Sequence, residues 1–292
     1  MIDAAADSPL SWALTGWDPP VVQTARRVDP WAGEAFADLV DAERPGPEPG
    51  EPLPAMWHWL VLLDHPAQAE LGEDGHRSEG PLMPPIPDRR RVFGGGRLRQ
   101  DRPIPVGAEL TCRSHVADVT VKSGRSGEMA LVTVRHELSV EGRAVGVEEQ
   151  DILYRSASEG APQRTVTRPE RGQPAPSGAW QLARATDPVL LSRFSALTYN
   201  GHRIHYDRPY ATEVEGYPDL VVHGPLLALL ALELPRRYRP EAEVVAFDYR
   251  LVRPAFVPDR IVAVGDPTPD GASIRVGAEG AAPSLTATAT FR

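Results

Sequence analysis

Residues 225–237 predict a helix that is apolar on nearly every face. The segment runs Pro-Leu-Leu-Ala-Leu-Leu-Ala-Leu-Glu-Leu-Pro-Arg-Arg, and Pro225 suits the first helical position because its φ angle is already fixed near the helical value. A helix without a polar stripe is normally buried on all sides. The rest of the fold therefore has to bury this helix on all sides.

The residues after the helix alternate with the period of a half-buried strand. In the last segment Leu285, Ala287, Ala289 and Phe291 alternate with threonines. Similar patterns predict strands over 244–252, 259–265, 273–277 and 284–292.

The first half of the chain shows the same order of a helix followed by strands. Asp29 and Pro30 predict the N-cap and first turn of a helix that ends near Asp41. Strands are predicted over 109–121, 131–140 and 147–154. We therefore expect an α+β tandem duplication in which each antiparallel sheet wraps around a central helix. The predicted division is a first repeat at 1–155, a linker at 156–178 and a second repeat at 179–292.

Composition excludes several classes of function. The net charge of -9 disfavours a nucleic-acid surface, which needs clustered Lys and Arg. The single cysteine, Cys112, allows no intrachain disulfide and fits a reducing cytoplasm. No apolar stretch approaches the roughly 20 residues that cross a bilayer, and the first residues do not resemble a secretory signal. We expect a cytoplasmic protein without a nucleic-acid or membrane partner, and a homodimer remains open.

The segment 194–207 carries the chemistry. It contains Tyr199-Asn200-Gly201-His202-Arg203-Ile204-His205, and a sharp turn at Gly201 would bring the side chains at 200, 202 and 205 together. Histidine is the natural proton carrier near neutral pH. Gly224, just before Pro225, would offer a backbone N–H to an oxyanion at a helix N-terminus, across a ligand-sized gap from His205. These parts suffice for adding water to an α,β-unsaturated carbonyl.

Other candidate sites are weaker. Asp64-His65 and Asp74-Gly75-His76 have no further ligand at a supporting spacing, so we expect no metal site. Arg89-Arg90-Arg91 followed by Gly94-Gly95-Gly96-Arg97 fits either an exposed basic cluster or a contact to substrate phosphates, with Arg97 as a substrate-binding candidate. Ser195 lacks the Gly-x-Ser-x-Gly elbow of serine hydrolases.

Several motifs together resemble the MaoC-like, (R)-specific enoyl-CoA hydratases. The segment 194–211 with Val222-His223-Gly224-Pro225-Leu226 is similar to their Asp-x-Asn-Pro-x-His motif and helix start. The branch with mesaconyl-C4-CoA and itaconyl-CoA hydratases and type 2 3-hydroxyacyl-thioester dehydratases is the most similar, also in the first half. The first-half motifs are Met56-Trp57-His58-Trp59-Leu60, Gly94-Gly95-Gly96-Arg97-Leu98, Lys122-Ser123-Gly124-Arg125-Ser126-Gly127 and the segment 148–155.

The resemblance covers roughly residues 20–292 and implies a double hotdog fold with a catalytically degenerate first repeat. It implies that His205 is the histidine of the catalytic dyad, that Asn200 stands where the family has aspartate, and that Gly224 binds the carbonyl. Because an amide cannot accept a proton at neutral pH, either His205 acts alone, with Asn200 holding the water, or His202 shares the work. Tyr199, His202, Arg203 and His223 are the remaining substrate-binding candidates.

The resemblance implies a hydratase or dehydratase acting at the α,β double bond of an acyl-CoA thioester, with a short branched dicarboxylyl group of the mesaconyl-C4 or itaconyl type as the first substrate expected. A fatty (R)-3-hydroxyacyl thioester is the alternative. A non-catalytic acyl-CoA binding module or a thioesterase are further alternatives. We expect no cofactor, because CoA is part of the substrate and the thioester itself acidifies the α-carbon.

Overall fold

The computed structural model describes residues 9–87, 89–124, 127–156, 166–172 and 177–292. Most of the predicted linker therefore lies outside the described residues, and the repeat boundaries remain a prediction. The helices are α1 (Pro9–Leu14), α2 (Pro30–Leu39), α3 (Pro188–Leu197) and α4 (Gly224–Tyr238). The strands are β1 (Val22–Arg27), β2 (Arg89–Gln100), β3 (Glu109–Gly124), β4 (Gly127–Val140), β5 (Arg143–Ser156), β6 (Trp180–Ala185), β7 (Val244–Leu251), β8 (Arg260–Thr268), β9 (Gly271–Ala278) and β10 (Leu285–Phe291).

The described strands form one antiparallel sheet in the order β1-β3-β4-β5-β2-β7-β10-β9-β8-β6. Its first five strands come from the first half of the chain and its last five from the second half. The halves meet where β2 pairs with β7, from Gly95 opposite Arg250 to Arg99 opposite Ala246. The two predicted meanders are therefore confirmed, and they share one continuous hydrogen-bonded sheet.

Helix α4 is the centre of the second half. It packs against all five strands of that half, and its residues from Leu226 to Pro235 are buried. The alternation predicted for β10 is also confirmed, since Leu285, Ala287 and Ala289 are buried while the threonines between them are exposed. Burial of an apolar side chain contributes roughly 1.5–3 kcal/mol, which explains why the sheet closes around this helix.

The first half has the same order of elements but no counterpart of α4 among its described residues. The helix predicted from Asp29 is α2, capped by the Asp29 carboxylate, which accepts from the Trp31 N–H at 2.9 Å. In chain order α2 corresponds to α3, and the two helices pack on each other.

In chain order, a one-turn 3-10 helix, Trp57–Leu60, takes the place of a central helix between α2 and β2. It is fastened to β5 through the buried Glu148 carboxylate, which bonds His58 Nε2 at 2.5 Å and accepts from Trp59 Nε1 at 2.8 Å. Two motifs that carry the family resemblance, around Trp57 and around Glu148, therefore meet in the core. The long helix that we expected in this half is replaced by a polar anchor.

Within the part of the chain that the structure describes, no helix has the length and apolarity that crossing a membrane requires.

Candidate active site

The motif turn follows α3 and places Asn200 in a structural role. Tyr199 has a left-handed φ of 51°, which reverses the chain after the helix. The Asn200 N–H then donates to the Ser195 carbonyl at 2.8 Å, and its Oδ1 accepts from the His202 N–H at 3.0 Å. The Asn200 amide oxygen therefore shapes the turn.

His205 ends a 3-10 turn, Arg203–His205, and is almost fully buried. Its Nδ1 lies 2.7 Å from the carbonyl oxygen of Val221. A carbonyl only accepts, so Nδ1 carries the proton and Nε2 is left as the basic nitrogen. Burial lowers the pKa of His205 to about 4. At neutral pH this ring is therefore uncharged and able to accept a proton.

The buried imidazole of His223 connects His205 to the start of α4. The two rings stack with centroids 3.6 Å apart, and His223 Nε2 lies 2.9 Å from Ser195 Oγ. Burial, followed by the neighbouring His205 and His202, lowers the pKa of His223 well below its usual range. Because His223 has no exposed surface, its position favours support of the His205 ring over direct contact with substrate.

Gly224 is the first residue of α4, where a backbone N–H has no acceptor within the helix. The ring of His205 lies against His223, the residue just before the helix N-terminus. The ring of His223 stacks on that of His205 beside this helix start, and a Cβ on Gly224 would lie 2.6 Å from Leu251 Cδ1, so both residues are closely packed. A cavity of about 460 Å³ is lined by residues 166–168, 212 and 216–218 and by none of the predicted site residues.

The remaining substrate-binding candidates have other surroundings. Arg203 donates to the Asp207 carboxylate at 2.7 Å and to the Glu73 carbonyl at 3.1 Å, so it holds the turn together. Arg97 pairs with Glu149 and Asp151 on β5, at 2.6 and 3.1 Å. The guanidinium groups of Arg203 and Arg97 are therefore already bound by groups of the protein itself, so neither position requires a ligand.

Tyr199, the first residue of the motif turn, is 60% exposed. Two arginines at the start of β2 have different surroundings. Arg90 lies 3.9 Å from the Glu215 carboxylate. The positive charge of Arg91 acts on His76 and, together with burial, lowers the pKa of that histidine.

Two side chains that sequence patterns do not connect with the motif join it from the first half. His76 Nδ1 lies 2.9 Å from Asp74 Oδ2, and the His76 ring lies 3.9 Å, centroid to centroid, from the ring of His202. His202 in turn lies 5.5 Å from His205. A continuous row of four imidazoles therefore runs from Asp74 to Ser195. Burial and the neighbouring His76 and His205 lower the pKa of His202 to about 2.

Asp74, His76 and His202 are also the described residues that could share a metal ion. Their ligand atoms lie within 4.8 Å of one another. We expected no metal site because the sequence shows no third ligand near Asp74 and His76, but the fold supplies His202. The arrangement nevertheless favours hydrogen bonding over ligation, because Asp74 and His76 bind each other and the two imidazole rings pack on one another.

The family model of the hydroxyacyl-thioester dehydratases type 2 matches residues 56–257. The chain is 42% identical over 251 residues to a mesaconyl-C4-CoA hydratase of Chloroflexus aurantiacus, covering 85% of this chain and 86% of that protein. It is 29% identical to the mitochondrial hydroxyacyl-thioester dehydratase type 2 of Schizosaccharomyces pombe, covering 69% and 73%.

Solved structures confirm the expected double hotdog fold. A Mycobacterium tuberculosis protein described as a double hotdog superposes with a TM-score of 0.55 at 15% identity, covering 94% of this chain and 97% of its own. A MaoC-like dehydratase from Phytophthora capsici superposes with a TM-score of 0.68 at 14% identity, covering 98% and 99%. With the match of the family model over residues 56–257, these findings establish that the chain belongs to the hydroxyacyl-thioester dehydratase type 2 family.

Proposed function

We propose that this protein adds water to, or removes it from, the α,β double bond of an acyl-CoA thioester. The observation that carries this proposal is His205, a buried neutral imidazole whose Nδ1–H is held by Val221 and which lies beside the N-terminus of α4. The family and the names of the relatives agree with a carbon–oxygen lyase.

The proposed hydration uses one base and one backbone donor. His205 Nε2 takes a proton from water while the water oxygen bonds the β-carbon and the π electrons move onto the thioester carbonyl. The N–H of Gly224, at the positive end of α4, stabilises the resulting enolate oxygen. His205 then returns the proton to the α-carbon, which makes the addition syn and leaves the enzyme unchanged. Dehydration is the same sequence in reverse.

We propose a short branched dicarboxylyl thioester, of the mesaconyl-C4-CoA or itaconyl-CoA type, as the substrate. The support is the relative named mesaconyl-C4-CoA hydratase, which aligns over most of both chains. A fatty 3-hydroxyacyl thioester is the second candidate, supported by the more distant relatives named hydroxyacyl-thioester dehydratases.

Other properties remain proposals of the same kind. We propose that the reaction runs without a cofactor or a metal, since the thioester provides the electron sink. A cytoplasmic location rests on the single cysteine, and a homodimer remains an alternative to the monomer.

The test is a panel of mesaconyl-C4-, itaconyl-, crotonyl- and longer enoyl-CoA thioesters, with loss of the conjugated thioester's ultraviolet absorbance as the readout. We expect the fastest turnover with the dicarboxylyl substrates. His205→Gln should lower kcat/KM by about 10²- to 10⁴-fold, because the general base is removed.

The matched control is His65→Gln, which changes an exposed histidine outside the motif. A folded His205→Gln enzyme with wild-type turnover would rule out His205 as the base. Release of free CoA, detected with a thiol reagent, would indicate a thioesterase instead.

A further inference from the structure

The loop at 72–76 of the first half is docked directly on the motif turn of the second half. The Arg203 N–H donates to the Asp74 carbonyl at 2.9 Å. The backbones of Gly75 and Gly201 touch so closely that a Cβ on Gly201 would lie 2.6 Å from the Gly75 oxygen. The loop is also closed internally, since Gly72 N–H donates to the His76 carbonyl at 2.7 Å. Asp74 and His76 therefore have a fixed position relative to the motif.

Asp74 and His76 form a carboxylate–imidazole pair in which the carboxylate accepts and the histidine donates. The Asp74 carboxylate accepts from the His76 backbone N–H at 2.9 Å and from His76 Nδ1 at 2.9 Å. Burial raises the pKa of Asp74, but the hydrogen bonds and charge of His76 lower it by more, so the carboxylate is ionised. An ionised carboxylate fixes the proton on Nδ1 and leaves His76 Nε2 as an acceptor.

This pair packs against the motif, which has no carboxylate at position 200. Position 200 carries an amide whose oxygen is already bound by the His202 N–H. The ring of His76 lies against that of His202, which is the neighbour of His205. The polar atoms of Asp74, His76 and His202 are within 4.8 Å of one another. One water between the rings of His76 and His202, at about 2.8 Å from a nitrogen of each, can bridge this distance.

We propose that Asp74, His76 and His202 hold the attacking water next to His205, and that Asp74 replaces the carboxylate missing at position 200. This inference rests on the hydratase function proposed above. His76 Nε2 accepts one hydrogen bond from the water and His202 donates one to the water oxygen. The second water proton passes to His205 as the oxygen bonds the β-carbon. Asp74 is a positioning residue that acts through His76.

The test compares Asp74→Asn, Asp74→Glu and His76→Gln with the wild type on the preferred enoyl-CoA. Asp74→Asn should lower kcat on the order of 10²-fold with little change in KM, because the water and not the acyl chain loses its support. Asp74→Glu should recover part of kcat, because the longer side chain keeps the charge.

The matched control is Asp64→Asn, which removes an exposed carboxylate that pairs with Arg77 in the same segment. We expect wild-type kcat for this variant. Equal kcat for Asp74→Asn and the wild type, or a loss confined to KM, would overturn the proposal. Activity that is lost on dialysis against EDTA and restored by zinc would also overturn it, by assigning the three side chains to a metal.

A second readout does not depend on turnover. In long-range ¹⁵N–¹H spectra of histidine-labelled protein, His76 should appear as the Nδ1–H tautomer, and Asp74→Asn should change this signal. A wild-type His76 in the Nε2–H tautomer would overturn the pair even in an active enzyme. A wild type that shows the expected tautomer but hydrates no enoyl-CoA would instead refute the proposed function, and with it the role of the water.

Discussion

At the scale of single residues, the basicity of His205 is set by its surroundings. The Val221 carbonyl fixes the tautomer, and burial lowers the pKa to about 4. A base must be unprotonated to accept a proton from water, so the fraction of active enzyme falls as the pH drops through this pKa. The neutral form is fully populated at physiological pH.

We therefore expect kcat/KM for hydration to be constant from neutral pH down to about pH 5, and to fall about tenfold per unit below about pH 4. The measurement is a stopped-flow pH jump that records initial rates before the protein unfolds. An acid limb near the ordinary imidazole pKa of about 6.5 would show that His205 is hydrated in solution and would contradict its buried position.

The sequence could predict His205 and the turn that carries it, because motif, spacing and chemistry agree there. The bond from the His202 N–H to the Asn200 oxygen is local and of the kind that asparagine forms in turns. The enclosure of His223 could not be predicted, because it depends on the contacts of its ring with Ser195 and His205. No sequence pattern connects Asp74 and His76 with the motif. They lie in a loop of the other half, and Gly75 between them indicates only a turn.

At the scale of elements, local patterns predicted the helix α4 and the strands β7 to β10 but not β6 or α3. The first half departed further from expectation. Its helix α2 was found from the Asp29-Pro30 cap, but it corresponds to α3. In chain order, the place of α4 is taken by the 3-10 turn around Trp57, which hydrogen bonds hold to Glu148. No periodicity indicates such an exchange, because the anchor is a polar contact between residues distant in the chain.

The docking of the 72–76 loop provides a prediction at this scale. Gly75 has a φ of +83°, and a Cβ there would overlap the Gly201 carbonyl oxygen. Gly75→Ala should separate the loop from the motif turn, lower kcat at least tenfold and reduce stability by about 1–2 kcal/mol or more. Enoyl-CoA turnover and urea unfolding measure the two effects.

The control for this prediction is Gly50→Ala. Gly50 has a φ of +92° but nothing within 4 Å of a built Cβ, so it carries the backbone strain without the contact. We expect a similar loss of stability from strain alone and unchanged kcat. If both variants lower kcat equally, loop docking is irrelevant to catalysis.

At the scale of the whole molecule, the two halves are one unit. They share a continuous sheet through β2 and β7, and the first half contributes Asp74 and His76 to the site of the second. A degenerate first repeat is therefore compatible with a direct part in the site. The family match supports both the acyl-CoA enzyme that the motif predicts and the α+β duplication. The assembly of one site from two halves, in contrast, can be seen only in the three-dimensional structure.

The shared interior also makes the stability of the molecule depend on pH. Burial is the first cause that lowers the pKa of five histidines, which are His76, His136, His202, His205 and His223. Their unfolded pKa is about 6.5, so below this pH the unfolded chain binds protons that the native protein excludes. The free energy of unfolding therefore rises with pH through this window. Conversely, the stability that these histidines contribute is lost as the pH falls from about 6.5 toward their lower pKa values in the native protein.

For His205 alone, the difference between 6.5 and about 4 corresponds to about 3 kcal/mol, or up to about 1.4 kcal/mol per pH unit. We expect urea unfolding between about pH 7.5 and 4.5 to show a steep acid loss of stability, with a slope that is about 1.4 kcal/mol per unit smaller in His205→Gln. A wild-type free energy of unfolding that is flat or rising toward acid would contradict the burial of these imidazoles, because neutral rings excluded from water make the native state the weaker proton binder in this pH window.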